Sequence, residues 1–321
     1  MTLKAYQIET DANGALAMAV QRAQAFADAE RADGTRKVYA RAWKQWQAWA
    51  ELMHTEALPA RPEAVAAWLA ELARAGKSVS TVTVRLAALL YVHRQKGVHL
   101  DAGHCAIRAV LGGIKRKCAR PIVRARAMTP DVLAQLDLQI KDQTLRSLRD
   151  RAIILIGYFG ALRRSEIASL SLTGIRSIIE ISTEGAKLQI VAGKSSLKTE
   201  AVFLPRRGDG LCPVQALEDY IATAGINSGP LFRAISKCDR LLDRRLDAAS
   251  INYILRARLG SLGSFSAHSL RAGLVTAAAK SHVPEHVIQR TTRHRSVDVL
   301  RTYIREAHGF ESAAANYVGR E

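Results

Sequence analysis

Apolar residues recur at helical spacing through the first hundred and twenty positions of the chain. Thr35 is suited to cap a helix reaching about Met53, and Tyr39, Trp43, Trp46 and Ala50 fall on one face of it. An aromatic stripe of that kind faces a core. Pro62 fits the first turn of a second helix that runs to Ala75, with Val65, Leu69 and Leu72 on its apolar side and Gly76 as its stop. Ser80 or Thr81 can cap a third helix ending at Lys96, before Gly97. A fourth covers residues 104–117 and is weakened by Gly112 and Gly113.

After Met128 the pattern changes. Residues 130–138 and 144–161 read as helices, the second apolar enough to lie at the centre of a core. Apolar and polar positions then alternate over residues 175–204, in IRSIIEIS, KLQIVAG and AVFLP, with turn signals at Glu184–Gly185 and Ser195–Ser196. A small antiparallel sheet is expected there. Helical patterns return at 213–224, 250–258, 266–280, 284–291 and 297–304. With 321 residues against a prior of about 150 per domain, two domains are expected. The fold class is therefore mainly α: a helical domain over residues 1–120, a linker over 121–127, and an α+β domain with a small antiparallel sheet over 128–321.

Charge narrows the choice of partner. The chain holds 47 Lys and Arg against 29 Asp and Glu, a net +18, and a field of that size attracts polyanions. Nucleic acid comes first. A membrane partner is not expected, because neither end offers an amphipathic anchor or lipidation motif, and the longest strongly apolar run, Ala152 to Leu162, is far short of the ~20 residues that span a bilayer. The start of the chain carries acids and does not read as a secretory signal, which points to the cytoplasm, in bacteria the cytoplasm or nucleoid. Cys105, Cys118, Cys212 and Cys238 form no CxxC pair and are expected to be reduced and structural. Lys115, Arg116, Lys117, Arg120, Arg124 and Arg126 follow one another with no intervening acid. A charge run is ordinarily a solvated loop. Here it joins two domains that are each basic, with 18 cations against 10 anions up to residue 120 and 29 against 19 beyond it, so it can act as a positive strap closing on a duplex.

Several motifs offer chemistry. AGKSS at 192–196 resembles the end of a phosphate-binding loop, but the pattern needs glycine where this chain has Leu188, which argues against an NTPase. His282 and His286 lack the companion glutamate of a zinc helix and read as surface residues. In SAHSLRAG, His268 and Arg271 lie three apart near a helix start, pointing together toward an end whose amides favour an anion. Arg163 in GALRRSEIASL falls at the end of the apolar helix, with Glu166 in reach to hold it and Arg164 as its solvated neighbour. Lys198 occupies the turn before AVFLP, and His294 is followed nine residues later by Tyr303. Singly, each residue has a bland reading: a surface arginine, a turn lysine, a packing tyrosine.

Order and spacing together change the odds. GALRRSE, a strand-turn lysine, HSLR, then His294 and Tyr303 resemble the tyrosine recombinase, or phage integrase, family. The first domain, with TRKVYARAWKQWQAWA and STVTVRLAALLYVHRQKG, looks like the SAM-like core-binding DNA-binding domain of Cre-like members. The resemblance implies that Arg163 and Arg271 hold the non-bridging oxygens of a scissile DNA phosphate, with His268 and His294 completing the cage. It makes Lys198 the acid for the leaving 5′ oxygen, with Lys194 its rival, Glu166 a supporting acid and Tyr303 the nucleophile. This chain departs from the family in two places. Glycine is common before the second histidine, where Arg293 stands, and near the end of the HxxR helix, where Ser281 and His282 stand. Glycine there supplies a left-handed cap, and a bulkier residue costs about 1 kcal/mol.

The chemistry suits those groups. Two guanidiniums can absorb the charge that builds on a five-coordinate phosphorus without a metal, so neither metal nor other cofactor is expected. A phenol with a pKa of about 10 is ionised to roughly one part in a thousand at neutral pH, so Tyr303 needs a base, for which His268 is the choice. Its attack would leave a 3′-phosphotyrosyl link that stores the phosphodiester energy, and rejoining then needs no ATP. Expected DNA contacts are Arg41 and Lys44 on the first helix, Ser80, Thr83 and Arg85 at the start of the third, and Lys115, Arg116 and Lys117 before the linker. The reading is a site-specific recombinase of a mobile element, a homotetramer on double-stranded DNA with inverted-repeat sites, with accessory DNA-bending proteins as further partners. Its alternatives are a type IB topoisomerase, which reseals the same strand, and an inert sequence-specific DNA-binding protein.

Overall fold

The computed structural model describes residues 15–28, 30–120, 126–174, 177–191, 199–293 and 300–304, with 316 and 318. The chain divides into two compact units, Met1–Ile122 and Val123–Glu321. In the first, the described helices are α1 (Ala15–Asp28), α2 (Asp33–Leu52), α3 (Pro62–Arg74), α4 (Val79–Gln95) and α5 (Cys105–Lys117). Helix α2 packs on α4 and α3 on α5, around Trp46, Trp68, Leu69, Leu89 and Ile107. The Trp46 ring lies 5.4 Å from those of Trp49 and Trp68, and its indole N–H donates to the Ala57 carbonyl at 2.9 Å, so the polar edge of the largest core side chain is satisfied.

Two helix starts differ from the sequence expectation. Helix α2 begins before Thr35, with Ala32 at its N-cap and no side-chain hydrogen bond there. For α4 the cap is Ser78, whose hydroxyl accepts from the Thr81 N–H at 3.2 Å. Ser78 is the first hydroxyl after the turn at Gly76, so Ser80 and Thr81 are already inside the helix. The end of α3 matches the expectation: Gly76 at φ +74° takes the left-handed position, and Lys77 N–H donates to the Leu72 carbonyl.

The second unit contains α6 (Pro130–Ala134), α7 (Leu136–Gln139), α8 (Leu145–Phe159), α9 (Arg164–Ser169), β1 (Ile179–Ile181), β2 (Gly185–Val191), β3 (Thr199–Pro205), α10 (Pro213–Ala224), β4 (Arg233–Ile235), β5 (Leu241–Arg245), α11 (Ala248–Leu259), α12 (Ala267–Lys280) and α13 (Glu285–Thr292), and residues 300–304 are helical. The helix expected over 130–138 is two short ones, interrupted at Gln135. Strands β1–β2–β3 form the antiparallel sheet, with Ile179 opposite Leu188 and Leu188 opposite Val202. Helix α9 and the β4–β5 hairpin were not foreseen.

Helix α8 is the axis of this unit. Ile153, Ile154, Leu155 and Ile156 are all buried, and α10 and α12 pack against it. Its polar residues are tied down: Asp150 is paired with Arg149 at 2.7 Å and with Arg258 of α11 at 2.9 Å, and Arg258 also donates to the Ser147 hydroxyl. A buried carboxylate held by two guanidiniums fixes the register of α8 against α11. All four cysteines are free, and the Cys212 thiol caps α10 by accepting from Gln215 N–H. Among the described residues, no helix is long and apolar enough to cross a membrane.

Candidate active site

The cationic end of α8 is shaped by a left-handed turn. Ala161 adopts φ +46°, its N–H donating to the Tyr158 carbonyl and that of Leu162 to Gly157. Arg163 follows in extended backbone, as the N-cap of α9. It therefore heads the next helix and does not close the apolar one as expected from sequence. Glu166, in the first turn of α9, accepts from the Arg163 backbone N–H at 2.8 Å through Oε2 and from Arg163 Nη1 at 2.7 Å through Oε1. The carboxylate thus caps the helix and holds the guanidinium, whose side chain stays half exposed.

Helix α12 delivers the HSLR residues. Asn252 on α11 accepts the Ala267 N–H at 2.9 Å, and Ser269 N–H bonds back to Ser266. The Ala267 and Ser269 amides are thus already used within the protein. Arg271 is buried, and its Nη1 donates at 2.8 Å to the carbonyl of Ala161. Burial, with Arg163 and Arg293 nearby, lowers its pKa to about 10, which leaves it a cation at neutral pH. Arg163, Arg164, Asn252, His268 and Arg271 line one cleft of about 270 Å³.

Tyr303 enters from the helical residues 300–304 and is buried against Ala272, Val275, Ala279, Ile288 and Leu300. Its hydroxyl lies 2.9 Å from His268 Nε2. Burial, then the charges of Arg271 and Arg163, push the imidazole below its ordinary pKa. The ring is neutral near pH 7, and Nε2 is placed to accept the phenolic proton.

Arg163, His268, Arg271, Glu166 and Tyr303 are therefore brought together from α9, α12 and the helical residues 300–304. Lys198, with its rival Lys194, and His294 lie outside the described residues, as do residues 121–125 of the linker and most of the tail after Tyr303. Both positions flagged for missing glycine keep left-handed backbone. His282 at φ +55° closes α12, with Val283 N–H donating to Ala278, and Arg293 at φ +56° closes α13. Sequence reasoning missed the parts played by Asn252 and Arg293. Neither belongs to a motif, although the expected glycine at position 293 was a signal that the replacing side chain has a task.

In the first unit, Arg41 and Lys44 are exposed on α2, Ser80 and Thr83 on α4, and Lys115, Arg116 and Lys117 on the last turn of α5. Arg85 is half-buried, and its pKa is lowered first by burial and then by the charge of Arg41. Two helices thus present like charges side by side. The Thr83 hydroxyl donates to the Val79 carbonyl and Ser80 shares a hydrogen bond with Ser78. A larger cavity of this unit, about 600 Å³, has Arg31 over the Tyr39 and Tyr91 rings.

A phenol bonded to a neutral imidazole, beside two guanidiniums, defines a site for nucleophilic attack on an anionic ester. Residues 126–309 match the phage integrase family. The chain belongs to that family and is a tyrosine recombinase. It is 29% identical over 299 residues, 89% of this chain and 85% of the relative, to an integrase/recombinase XerD homolog of Selenomonas ruminantium. Two solved structures share the fold: the Tn1549 transposon integrase in complex with transposon right end DNA (TM-score 0.51, 14% identity, 84% of this chain and 94% of that one) and the XerH site-specific recombinase bound to difH substrate (TM-score 0.51, 17% identity, 80% and 71%).

Proposed function

We propose that the protein breaks and rejoins DNA strands with Tyr303 as nucleophile. Tyr303 Oη bonds to the scissile phosphorus while the bond from phosphorus to the 5′ oxygen breaks, and the phenolic proton passes to His268 Nε2. Lys198 protonates the departing 5′ oxygen. Arg163 and Arg271 take the charge that grows on the non-bridging oxygens, and His294 adds a donor. The 3′-phosphotyrosyl link holds the phosphodiester energy until another 5′ hydroxyl attacks it, giving its proton back to Lys198 as the bond from phosphorus to Tyr303 Oη breaks; His268 returns its proton to Tyr303, and the strand is rejoined.

The residues 1–122 unit serves as the core-binding domain in this reading, with Arg41, Lys44, Ser80, Thr83 and Arg85 on DNA. The neighbouring charges of Arg41 and Arg85 support that assignment. Four copies act on double-stranded DNA carrying inverted-repeat sites, in a bacterial cytoplasm or nucleoid, with accessory DNA-bending proteins where the site requires them. The observation that carries the proposal is the 2.9 Å contact of Tyr303 with His268 beside the cleft that His268 shares with Arg163 and Arg271.

The test uses a pool of nicked duplexes with a randomised central segment. The protein is incubated with the pool and denatured in SDS, and the DNA that stays attached is sequenced. Wild type is expected to yield a covalent adduct enriched in one sequence, and Tyr303→Phe none. An adduct formed equally by the Phe variant would dismiss Tyr303 as the nucleophile.

A further inference from the structure

Arg293 occupies a costly position for a residue with a β-carbon. Its backbone is left-handed, at φ +56° and ψ 41°, and such strain persists where the surroundings over-determine it. The surroundings here are acidic. Arg293 Nη2 donates to Glu166 Oε2 at 2.6 Å, and its Nε lies 3.6 Å from Glu200 on β3. Its Nη1 donates to the Thr291 carbonyl at 3.2 Å. The side chain is buried, so this is a pair withdrawn from water and screened little by salt.

Glu166 thus receives three donors: the Arg163 N–H and Nη1, and Arg293 Nη2. If Arg163 were its sole partner, the carboxylate would cancel that guanidinium and set an anion beside the place where phosphate charge builds. With Arg293 attached, the Arg163–Glu166–Arg293 trio keeps a net positive charge while Glu166 still fixes Arg163; Glu200, half exposed and 3.6 Å from Arg293, is screened by solvent and offsets little of it. Arg293 also lowers the pKa of Arg271 through space, so its charge reaches the cleft.

Resting on the recombinase reading, we propose that Arg293 is a positioning residue for strand cleavage: it anchors and charge-balances Glu166, so that Glu166 can hold Arg163 without opposing the transition state. The alternative is a clamp that merely packs α13 against α9.

A double-mutant cycle in single-turnover adduct formation separates the two, using the duplex that wild type selects from the nicked pool. Glycine adopts φ +56° freely, so Arg293→Gly preserves the turn, and urea unfolding monitors the fold. Arg293→Gly is expected to slow adduct formation by about 30-fold, within the range produced by a misplaced catalytic group, while duplex retention on filters changes by less than about threefold. Arg293→Lys restores much of the rate, since an ammonium can still meet Glu166. In a Glu166→Gln background there is no charge to balance, and adding Arg293→Gly costs less than about threefold. A wild-type rate for Arg293→Gly, an equal loss in both backgrounds, or a loss that tracks unfolding would each overturn the proposal. Absence of an adduct with wild type itself would instead overturn the recombinase reading on which it rests.

Discussion

At the scale of single residues, the chemistry turns on a proton. Holding a phenol ionised at neutral pH against a pKa of about 10 costs roughly 4 kcal/mol, so in the proposed reaction Tyr303 gives up its proton as the bond forms. His268 can receive it only when neutral. Its pKa is depressed by burial and by Arg271 and Arg163, so protonation of the free enzyme needs a pH below the ordinary imidazole value of about 6.5. The second-order rate of adduct formation reports groups of the free enzyme. It is expected to stay level as pH falls through about 6.5 and to decline only at more acidic pH. A midpoint at or above 6.5 would mean that His268 is not the base in this state. Arg163 and Glu166 show the same economy: one carboxylate caps α9 and aims a guanidinium. Ala161 turns left-handed and so offers its carbonyl to Arg271.

At the scale of elements, α12 must approach closely before any of this geometry exists. A β-carbon on Gly273 would stand 2.1 Å from the Met128 carbonyl oxygen and 2.8 Å from the Tyr158 ring, while Met128 N–H donates to Ser269 on the same helix. Gly273→Ala must therefore push α12 off Met128. A loss of about 1–3 kcal/mol in urea unfolding is expected, with slower adduct formation because His268 and Arg271 move with the helix; an unchanged midpoint would refute the close packing. Elements set by local chemistry were legible in the sequence. Pro62 and Gly76 bracket α3, and alternating residues mark β2 and β3. Elements held by distant groups were not. The β4–β5 hairpin lacks alternation, and Arg245 fixes it by donating to the carbonyls of Ala168 and Leu170, at and just beyond the end of α9. In the site, the order of arginine, histidine and tyrosine was readable, but the partnership of Arg293 with Glu166 spans 127 positions, and no local pattern encodes it.

At the scale of the whole molecule, net charge governs how DNA is held. With +18 spread over two basic units, release of condensed counterions should dominate affinity, and binding of Tyr303→Phe to the selected duplex should fall steeply with salt. Each cation that neutralises a phosphate adds about 0.9 to the magnitude of the slope of log affinity against log salt. Lys115, Arg116 and Lys117 provide a sharp case, because all three are exposed on the last turn of α5. Replacing them with Ala removes favourable charge from a helix C-terminus, worth about 0.3–1 kcal/mol each at most, and leaves the buried Ile107 and Ile114 core of that helix untouched. If this run grips the backbone, the triple variant made in the Tyr303→Phe protein shows a slope shallower by nearly 3, with the preferred sequence unchanged. Fluorescence anisotropy across a salt series measures it. A slope equal to that of the parent would return these residues to the role of a solvated basic turn and leave affinity to the cations of α2 and α4.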